Sequence, residues 1–572
     1  MKIIDLNINI EKIRTAKSNI SINDFLLSSA KDKSNYIFPD TCAILEGNKL
    51  IGSLSYGDIK RKINKLDRKI KIQKLMNKNP VSVSYDLSKK INFIENLKHT
   101  IDRSSTDFVY IVDKKNNLLG IIKSKIVNDF QNIQFCDTIV FGLGLVGLTL
   151  SIHLTKFKIR VQGIEINTNI TRKLNKNITN VNENGLLQSL KLARKNKLIN
   201  FTDNYNSKKN NKKIFIVCVG TPVTNGKIEI KNIQVALKKI AKNLPDKSLI
   251  ILRSTIPVGS SRHTFIPLIE KISNKKCGKD WHFVFAPERT VEGNALNELN
   301  TLPQLLSGFT SNCLKMAKNY FDHFSSEIIE LDNLEMAEYS KLICNTYRDL
   351  TFAFANDIAL LCEKYNINAN KLIQLSNKSY PRGGIPLPSP GVGGSCLTKD
   401  PFIYSMSNTN SLHHKSKIGF LSREINHKAA KVPFRILNKY KSRFILKKNL
   451  SILILGLSFK GDFFNNDLRN STAKDLADYC IKNQYNTYIY DSFFTKKQIN
   501  KLGYKYFNIF DSVSTQIDFI FVMNNNIDFK NILLDKWLES SKIKVFFDPW
   551  YLFPEVNFKK NNFFYTTMGK LY

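Results

Sequence analysis

Uninterrupted apolar runs alternate with glycine-rich turns and helical stretches along most of this 572-residue chain. The segment TIVFGLGLVGLTLSIHL, from Thr138, predicts a strand, a glycine turn and a helix, and VQGIEIN supplies the next strand. KIFIVCVGTPV from Lys213 and SLIILRSTIPVGSS from Ser248 follow, each an apolar run that ends in a Gly/Pro/Thr turn. Such runs predict parallel strands buried on both faces, with their turns at the carboxyl edge of the sheet, where ligands bind. Beyond about residue 333 the apolar period becomes helical. LEMAEYSKLICNTYRDLTFAFANDIALLCEKY keeps that spacing over about thirty positions, longer than an ordinary surface helix. A helix of this length joins domains or supports a dimer interface. From Asn449 strands return, in LSILILGLSFKGD, TYIYDSF, IDFIFVMNN and KVFFDPW.

The first 135 residues follow a different pattern. LIGSLSYGDI from Leu50 and LLGIIKSKIV from Leu118 stand 68 positions apart and share an apolar-apolar-Gly-apolar opening. Each follows a strand and a turn, CAILEGNK and FVYIVDKKNN, and MNKNPVSVSYDLS from Met76 starts the second copy. This arrangement resembles a tandem pair of CBS domains, an α+β regulatory module. The resemblance implies an adenine nucleotide held in the cleft between copies, by a Ser/Thr with an Asp three positions later. Ser55 and Asp58 keep that pair, whereas the matching positions of the second copy are Lys123 and Ile126. One intact nucleotide site is therefore the most this module offers, and a purely structural or assembly role stands beside it.

The net charge of +38 raises nucleic-acid binding as a question. The lysines are spread over the whole length among asparagine and isoleucine, with no arginine-rich arm, zinc-finger spacing or aromatic RNA-binding motif. A diffuse solvated basic surface is the better reading; it would draw in anionic cofactors and sugar nucleotides. Nine cysteines stand singly with no CxxC pair, so reduced thiols are expected. Eight histidines do not cluster either, and His413 and His414 lack a metal-ligand frame, so no metal is expected. The charged N-terminal segment is no signal peptide, and the longest apolar runs are too short to span a bilayer. A cytoplasmic protein without a membrane segment is expected.

Two patterns carry chemistry. Gly142, Gly144 and Gly147 form GxGxxG, with Leu145 and Val146 in the turn, and Glu165 ends the following strand. The glycines permit a tight turn and close approach of a pyrophosphate to the helix N-terminus. Glu165 can accept hydrogen bonds from ribose hydroxyls and would repel a 2′-phosphate, which favours NAD over NADP. The second pattern is GVGGSCLTKDP at residues 391–401, where Cys396 follows a glycine-rich approach and Lys399 and Asp400 come next. The glycines would let a substrate approach the backbone, and a neighbouring cation favours thiolate. A hydride acceptor together with an acyl-holding cysteine suggests an alcohol oxidised past the aldehyde to an acid.

The ordered motifs GLGLVG, VGTP at Val219, STIPVG at Ser254, PERTVEG at Pro287, KLICNTYRD at Lys341, GVGGSCLTKD and GLSFKGDFFNNDLR at Gly456 resemble the UDP-sugar dehydrogenase family. The predicted fold is then α/β. Two Rossmann-like parallel-sheet domains, an NAD-binding one at 136–332 and a UDP-sugar-binding one at 446–572, are joined by a long central helix. That helix lies within a helical and dimerisation region at 333–445, and the α+β CBS pair at 1–135 precedes them. By this resemblance Cys396 is the nucleophile, Lys341 and Asn345 stabilise oxyanion charge, and Asp400 assists the thiol chemistry. Thr255, Glu288 and Glu292 bind the hydrolytic water. NAD contacts fall to the GxGxxG residues, Glu165, Gly220, Thr221, Pro222, Ser254, Thr255, Lys399 and Arg469. The UDP-sugar contacts fall to Glu288, Arg289, Lys341, Asn345, Gly393 and Lys460. Outside the motif order, Lys341 with Asn345 would read as a solvated helix face, and Glu288 with Glu292 as surface acids. PER in place of PEFL favours a UDP-N-acetylhexosamine substrate, with a uronate product for surface polysaccharide, in a homodimer or higher oligomer. UDP-glucose 6-dehydrogenase is the alternative substrate reading. A single-step hydroxyacid dehydrogenase is an alternative reaction, and a non-catalytic nucleotide sensor an alternative of another class.

Overall fold

A computed structural model of the chain describes residues 2–571 except 4–7, 10–11, 32–39, 63–69, 86–95, 98, 102, 105, 125–136, 180, 206–210, 225–226, 408–415, 445–449, 462–465, 509–515, 532–542 and 554–562. Ile126, His413, His414 and part of the GLSFKGDFFNNDLR motif lie outside the described residues. Two compact units divide the chain, Met1–Cys136 and Asp137–Tyr572. No helix among the described residues is long and apolar enough to cross a membrane.

The first unit repeats one arrangement twice. Strand Arg14–Lys17 runs parallel to Thr41–Glu46, which pairs antiparallel with Lys49–Ser55. Ser82–Ser84, Phe108–Val112 and Leu118–Lys123 repeat that order, and each antiparallel pair is irregular at the matching place, Ile44/Leu45 and Ile111/Val112. The turns exchange hydrogen bonds reciprocally: Leu50 N–H donates to the Asn116 carbonyl and Leu118 N–H to the Asn48 carbonyl, both at 2.9 Å. Those are equivalent positions of the 68-residue repeat, so the halves meet about an approximate two-fold axis. Ala43, Leu50, Tyr110 and Ile121 pack between them.

The second unit contains two sheets of related topology. In the first, the order is Ile199–Thr202, Val161–Ile164, Asp137–Phe141, Lys213–Val217, Leu249–Leu252 and His282–Phe285, all parallel. Gln304–Gly308 adds antiparallel to the last of these, and Ile328–Glu330 pairs parallel with it. Numbered by sequence, the six parallel strands lie 3-2-1-4-5-6, the dinucleotide-binding order, with a crevice between strands one and four. The second sheet has the same order and is parallel throughout: Lys505–Tyr506, Asn486–Tyr490, Ser451–Leu455, Phe519–Val522, Val545–Phe547 and Phe564–Thr566. Leu249–Leu252 and Phe519–Val522 are buried at every position, as strands covered on both faces must be.

Between the sheets in sequence lies the 29-residue helix Leu334–Cys362. Its first turn is capped by Asn333, whose side-chain oxygen accepts from Met336 N–H at 2.8 Å. Ala337, Lys341, Ala353, Ala355 and Ala359 are among its buried residues, and the helices Asp400–Met406 and Ile418–Ala429 pack against it.

Candidate active site

At the crevice of the first sheet, the glycines are required by contact rather than by propensity. Gly142 takes φ +88°, and a Cβ there would lie 2.9 Å from the Cys218 carbonyl oxygen. A Cβ on Gly147 would lie 1.8 Å from the Gly142 carbonyl oxygen, whereas the same position on Gly144 meets nothing within 4 Å. The turn therefore folds tightly beneath Gly144 and leaves open space above it, at the start of helix Leu145–Lys156. Glu165 orders the turn by accepting from Leu143 N–H (3.0 Å) and Asn167 N–H (3.1 Å). The next two loops are laced together: Thr221 Oγ1 donates to the Thr255 carbonyl (2.8 Å) and Ser254 Oγ to the Val219 carbonyl (2.7 Å). Gly220 and Pro222 are exposed beside them. A pyrophosphate over Gly144 and a ribose at Glu165 fit this cradle.

Lys341 and Asn345 lie one turn apart on helix Leu334–Cys362 and share a face. Asn345 Nδ2 donates to Asp400 Oδ2 at 2.6 Å, and Lys399 Nζ pairs with Asp400 Oδ1 at 2.5 Å. The Asp400 carboxylate is fully buried, so these two partners offset its desolvation. Cys396 is exposed; its carbonyl accepts from Lys399 N–H (3.1 Å) and Asp400 N–H (2.9 Å), a tight turn that opens helix Asp400–Met406. The glycines ahead of it are required by packing. A Cβ at Gly393 would lie 2.5 Å from the Asn470 carbonyl, one at Gly394 would lie 2.9 Å from the Phe459 ring, and one at Gly391 would lie 2.7 Å from Ala430 Cβ. Packing against the loop after the first strand of the second sheet thus demands Gly393 and Gly394, and the end of helix Ile418–Ala429 demands Gly391.

Two acids of PERTVEG have separate environments, and neither is a plain surface acid. Glu288 is 4% exposed. Its Oε2 pairs with Arg253, its Oε1 accepts from Arg289 N–H (2.8 Å) and Thr290 N–H (2.9 Å), and Lys341 Nζ donates to its backbone carbonyl at 2.6 Å. Burial raises the Glu288 carboxyl, but Arg253, the Thr290 N–H and Lys341 outweigh it and hold it at about 2. Glu292 instead reaches Arg469 Nη2 at 3.1 Å, and Arg469 also holds Asp467 at 2.7 Å. Burial first, and the Asp467 carboxylate second, push Glu292 up to about 7. Lys460 lies close enough to act on Glu292 and Glu183, and the Cys396 sulfur close enough to act on Arg469. The Arg289 guanidinium is engaged by the Pro303 carbonyl at 2.5 Å.

In the first unit, Ser55 and Asp58 bond each other. Asp58 Oδ2 accepts from Ser55 Oγ (2.6 Å) and Ser55 N–H (2.9 Å), while Asp58 N–H donates to Ser55 Oγ (3.1 Å). This cap starts helix Tyr56–Lys62.

Several residues around the site escape sequence reasoning. Arg253 precedes STIPVG directly, a position that could have marked it. Glu183 carries no such signal, yet accepts from Gly293 N–H (2.9 Å) and Ala295 N–H (2.6 Å) and so fixes the backbone after Glu292. Glu338 accepts from Gly259 (2.5 Å) and Ser261 (3.0 Å) N–H, tying the loop after Thr255 to the long helix. A buried network centred on Asp349 joins that helix to the cysteine loop. Asp349 accepts from Ser422 Oγ (2.7 Å), Arg423 Nη1 (2.7 Å) and Asn426 Nδ2 (2.8 Å). Arg423 Nη2 reaches the Val392 carbonyl (3.3 Å), and Asn356 Oδ1 accepts from Ser389 N–H (2.8 Å).

Residues 137–325 match the NAD binding domain of the UDP-glucose/GDP-mannose dehydrogenase family, 335–428 its central domain and 453–555 its UDP binding domain. The sequence is 33% identical over 352 residues to a UDP-N-acetyl-D-mannosamine dehydrogenase of Campylobacter jejuni, covering 60% of this chain and 83% of that protein. A Pyrococcus horikoshii protein of the same name is 31% identical over 340 residues, 58% of this chain and 78% of the relative. A solved UDP-N-acetyl-mannosamine dehydrogenase from S. aureus superposes with a TM-score of 0.64 at 26% identity, over 76% of this chain and 99% of that one.

Proposed function

The chain belongs to the UDP-glucose/GDP-mannose dehydrogenase family and is an NAD-dependent nucleotide-sugar dehydrogenase, and from that premise we propose that it oxidises the C6 alcohol of a UDP-N-acetylhexosamine to the carboxylate. NAD, held by the Gly142–Gly147 turn and Glu165, would supply the hydride acceptor for both oxidations at C6. The Cys396 thiolate attacks the C6 aldehyde and retains it as a thiohemiacetal. The thioester formed after the second oxidation is then hydrolysed by water. Lys341 and Asn345 present donors to the oxygen that carries negative charge at each tetrahedral stage. Asp400, held by Asn345 and Lys399, fixes the donor side chain of Asn345 and assists the thiol. Thr255 and Glu288 serve the hydrolytic water. The single observation that carries this reading is the Asn345–Asp400 bond, because it ties the lysine–asparagine face to the cysteine loop.

The names of the relatives and the PER sequence at Pro287–Arg289 support an acetamido sugar, and the uronate product suits surface polysaccharide synthesis. NADH yield from limiting UDP-N-acetylhexosamine tests the proposal. Two NADH per sugar are expected. One NADH per sugar, or turnover of UDP-glucose alone, would overturn the mechanism or the substrate respectively. We also assign a second copy of the chain to the long helix. Met336, Ile343, Tyr347, Phe354 and Leu361 are exposed at steps of seven, four, seven and seven residues, which is one stripe about 38 Å long. Phe354→Glu should yield monomers in light scattering, and an unchanged dimer mass would refute that face. The N-terminal unit is assigned a regulatory role, with an adenine nucleotide beside Ser55 and Asp58; binding would have to open their mutual cap. Unchanged kinetics of the full chain with ATP and AMP would refute it.

A further inference from the structure

Far along the chain from Cys396, a second thiol pair sits beside the strand that leads into Glu288. Cys313 is the third residue of the 11-residue helix Ser311–Phe321, whose cap, Thr310, donates from Oγ1 to Cys313 Sγ at 3.1 Å and accepts from Cys313 N–H at 3.3 Å. His282 Nδ1 lies 3.6 Å from the same sulfur. The Cys277 thiol lies close enough to act on that sulfur. The loop that bears Cys277 is pressed onto this helix start: a Cβ on Gly278, at φ +84°, would lie 2.8 Å from Thr310 Cγ2. Glu270 Oε1 holds the Cys277 N–H at 3.0 Å. Cys313 is fully buried, whereas Cys277 is only half-buried, so the pair is open on one side. Cys277, followed by His282 and Thr310, holds the Cys313 thiol well below its ordinary range. Thiolate character at a helix N-terminus next to a second thiol is the arrangement that favours disulfide formation.

We propose that Cys277 and Cys313 form a dithiol site that a hydroperoxide oxidises reversibly to an intrachain disulfide, separate from the Cys396 chemistry. Both S–H bonds and the peroxide O–O bond break, one S–S bond forms, and with hydrogen peroxide the two protons and two electrons leave as two waters. The bond would staple the loop before strand His282–Phe285 to helix Ser311–Phe321, raising Tm by on the order of 5 °C.

The test treats the full chain with hydrogen peroxide, blocks remaining thiols with N-ethylmaleimide in denaturant, and maps unreduced peptides by mass spectrometry. A peptide pair joined through Cys277 and Cys313, two hydrogens lighter and released by dithiothreitol, is expected. Cys277→Ser and Cys313→Ser should each abolish it, and the reduced melting curves of the two variants show whether either has misfolded. The exposed Cys344 reports that oxidant was sufficient. Recovery of both Cys277 and Cys313 as maleimide adducts while Cys344 is oxidised would overturn the proposal. So would a disulfide from either residue to any other cysteine.

Discussion

Asp349→Ala removes the centre of the buried network behind the cysteine loop. The carboxylate is fully buried and accepts from Ser422, Arg423 and Asn426 at 2.7, 2.7 and 2.8 Å. The Arg423 side chain is 12% exposed, so it cannot escape to water when its partner is lost. Breaking a buried ion pair from one side costs about 3–5 kcal/mol, most of it the uncompensated charge left behind. For a unit of this size, with an unfolding entropy of about 0.9 kcal/mol/K, that corresponds to a Tm lower by about 4 °C. Asp349→Asn keeps the shape and two of the acceptor contacts and should recover about half of the loss. Because Arg423 also holds the Val392 carbonyl, kcat should fall more than KM rises. Calorimetry with steady-state kinetics on both variants checks this. A Tm within 1 °C of wild type together with an unchanged kcat would refute the view that this charge anchors the loop.

Three further outcomes are expected. Gly147→Ala places a methyl 1.8 Å from the Gly142 carbonyl and should weaken NAD binding more than about tenfold with a lower Tm; Gly144→Ala has open space and should weaken NAD without moving Tm, both read by NADH fluorescence titration. Glu292 and Glu338 are each raised to about 7, chiefly by burial, so the folded state holds protons there that the unfolded chain releases above about 4.5. Their contribution is complete below that value and is lost as pH rises through 7. Urea midpoints should fall across this window, and Glu292→Gln should shallow the slope. Glu183→Ala leaves the Gly293 and Ala295 N–H groups without their carboxylate and should cost about 1–2 kcal/mol in urea melts, with Glu183→Gln restoring part of it.

What the sequence made legible is local in the chain. The strand–glycine–helix–acid series reads directly because one turn needs all its parts within about thirty residues. The long helix reads from its period. What escaped is non-local: Asp349 meets partners 73, 74 and 77 positions away, and Glu183 meets amides 110 and 112 away. No periodicity encodes such a meeting. The glycines at 391, 393 and 394 were legible as glycines, but their packing partners are the side chains of residues 430 and 459 and the backbone carbonyl of residue 470, which only the folded chain brings near.

The cysteine loop is held from three directions, and this bears on how the site assembles. The long helix holds it through Asn345–Asp400, and helix Ile418–Ala429 through Arg423 and the Val392 carbonyl. The second sheet's first loop holds it through Phe459 and through Asn470, whose Nδ2 donates to Thr398 Oγ1 at 2.9 Å. The two sheets are joined again by the Glu292–Arg469 pair, beside Cys396. The Arg469 contacts are solvent-accessible ion pairs, with its side chain 55% exposed, and exposed pairs contribute little stability. The buried anchors therefore set the position of the loop, while Arg469, with Glu292 near neutral pH at its midpoint, is the contact that can exchange partners at low cost. An anionic diphosphate entering between the sheets would compete for Arg469 against Asp467 and a half-protonated Glu292. The loop that bears Cys396 is thus held by buried anchors, whereas the Arg469 contacts are the exchangeable ones.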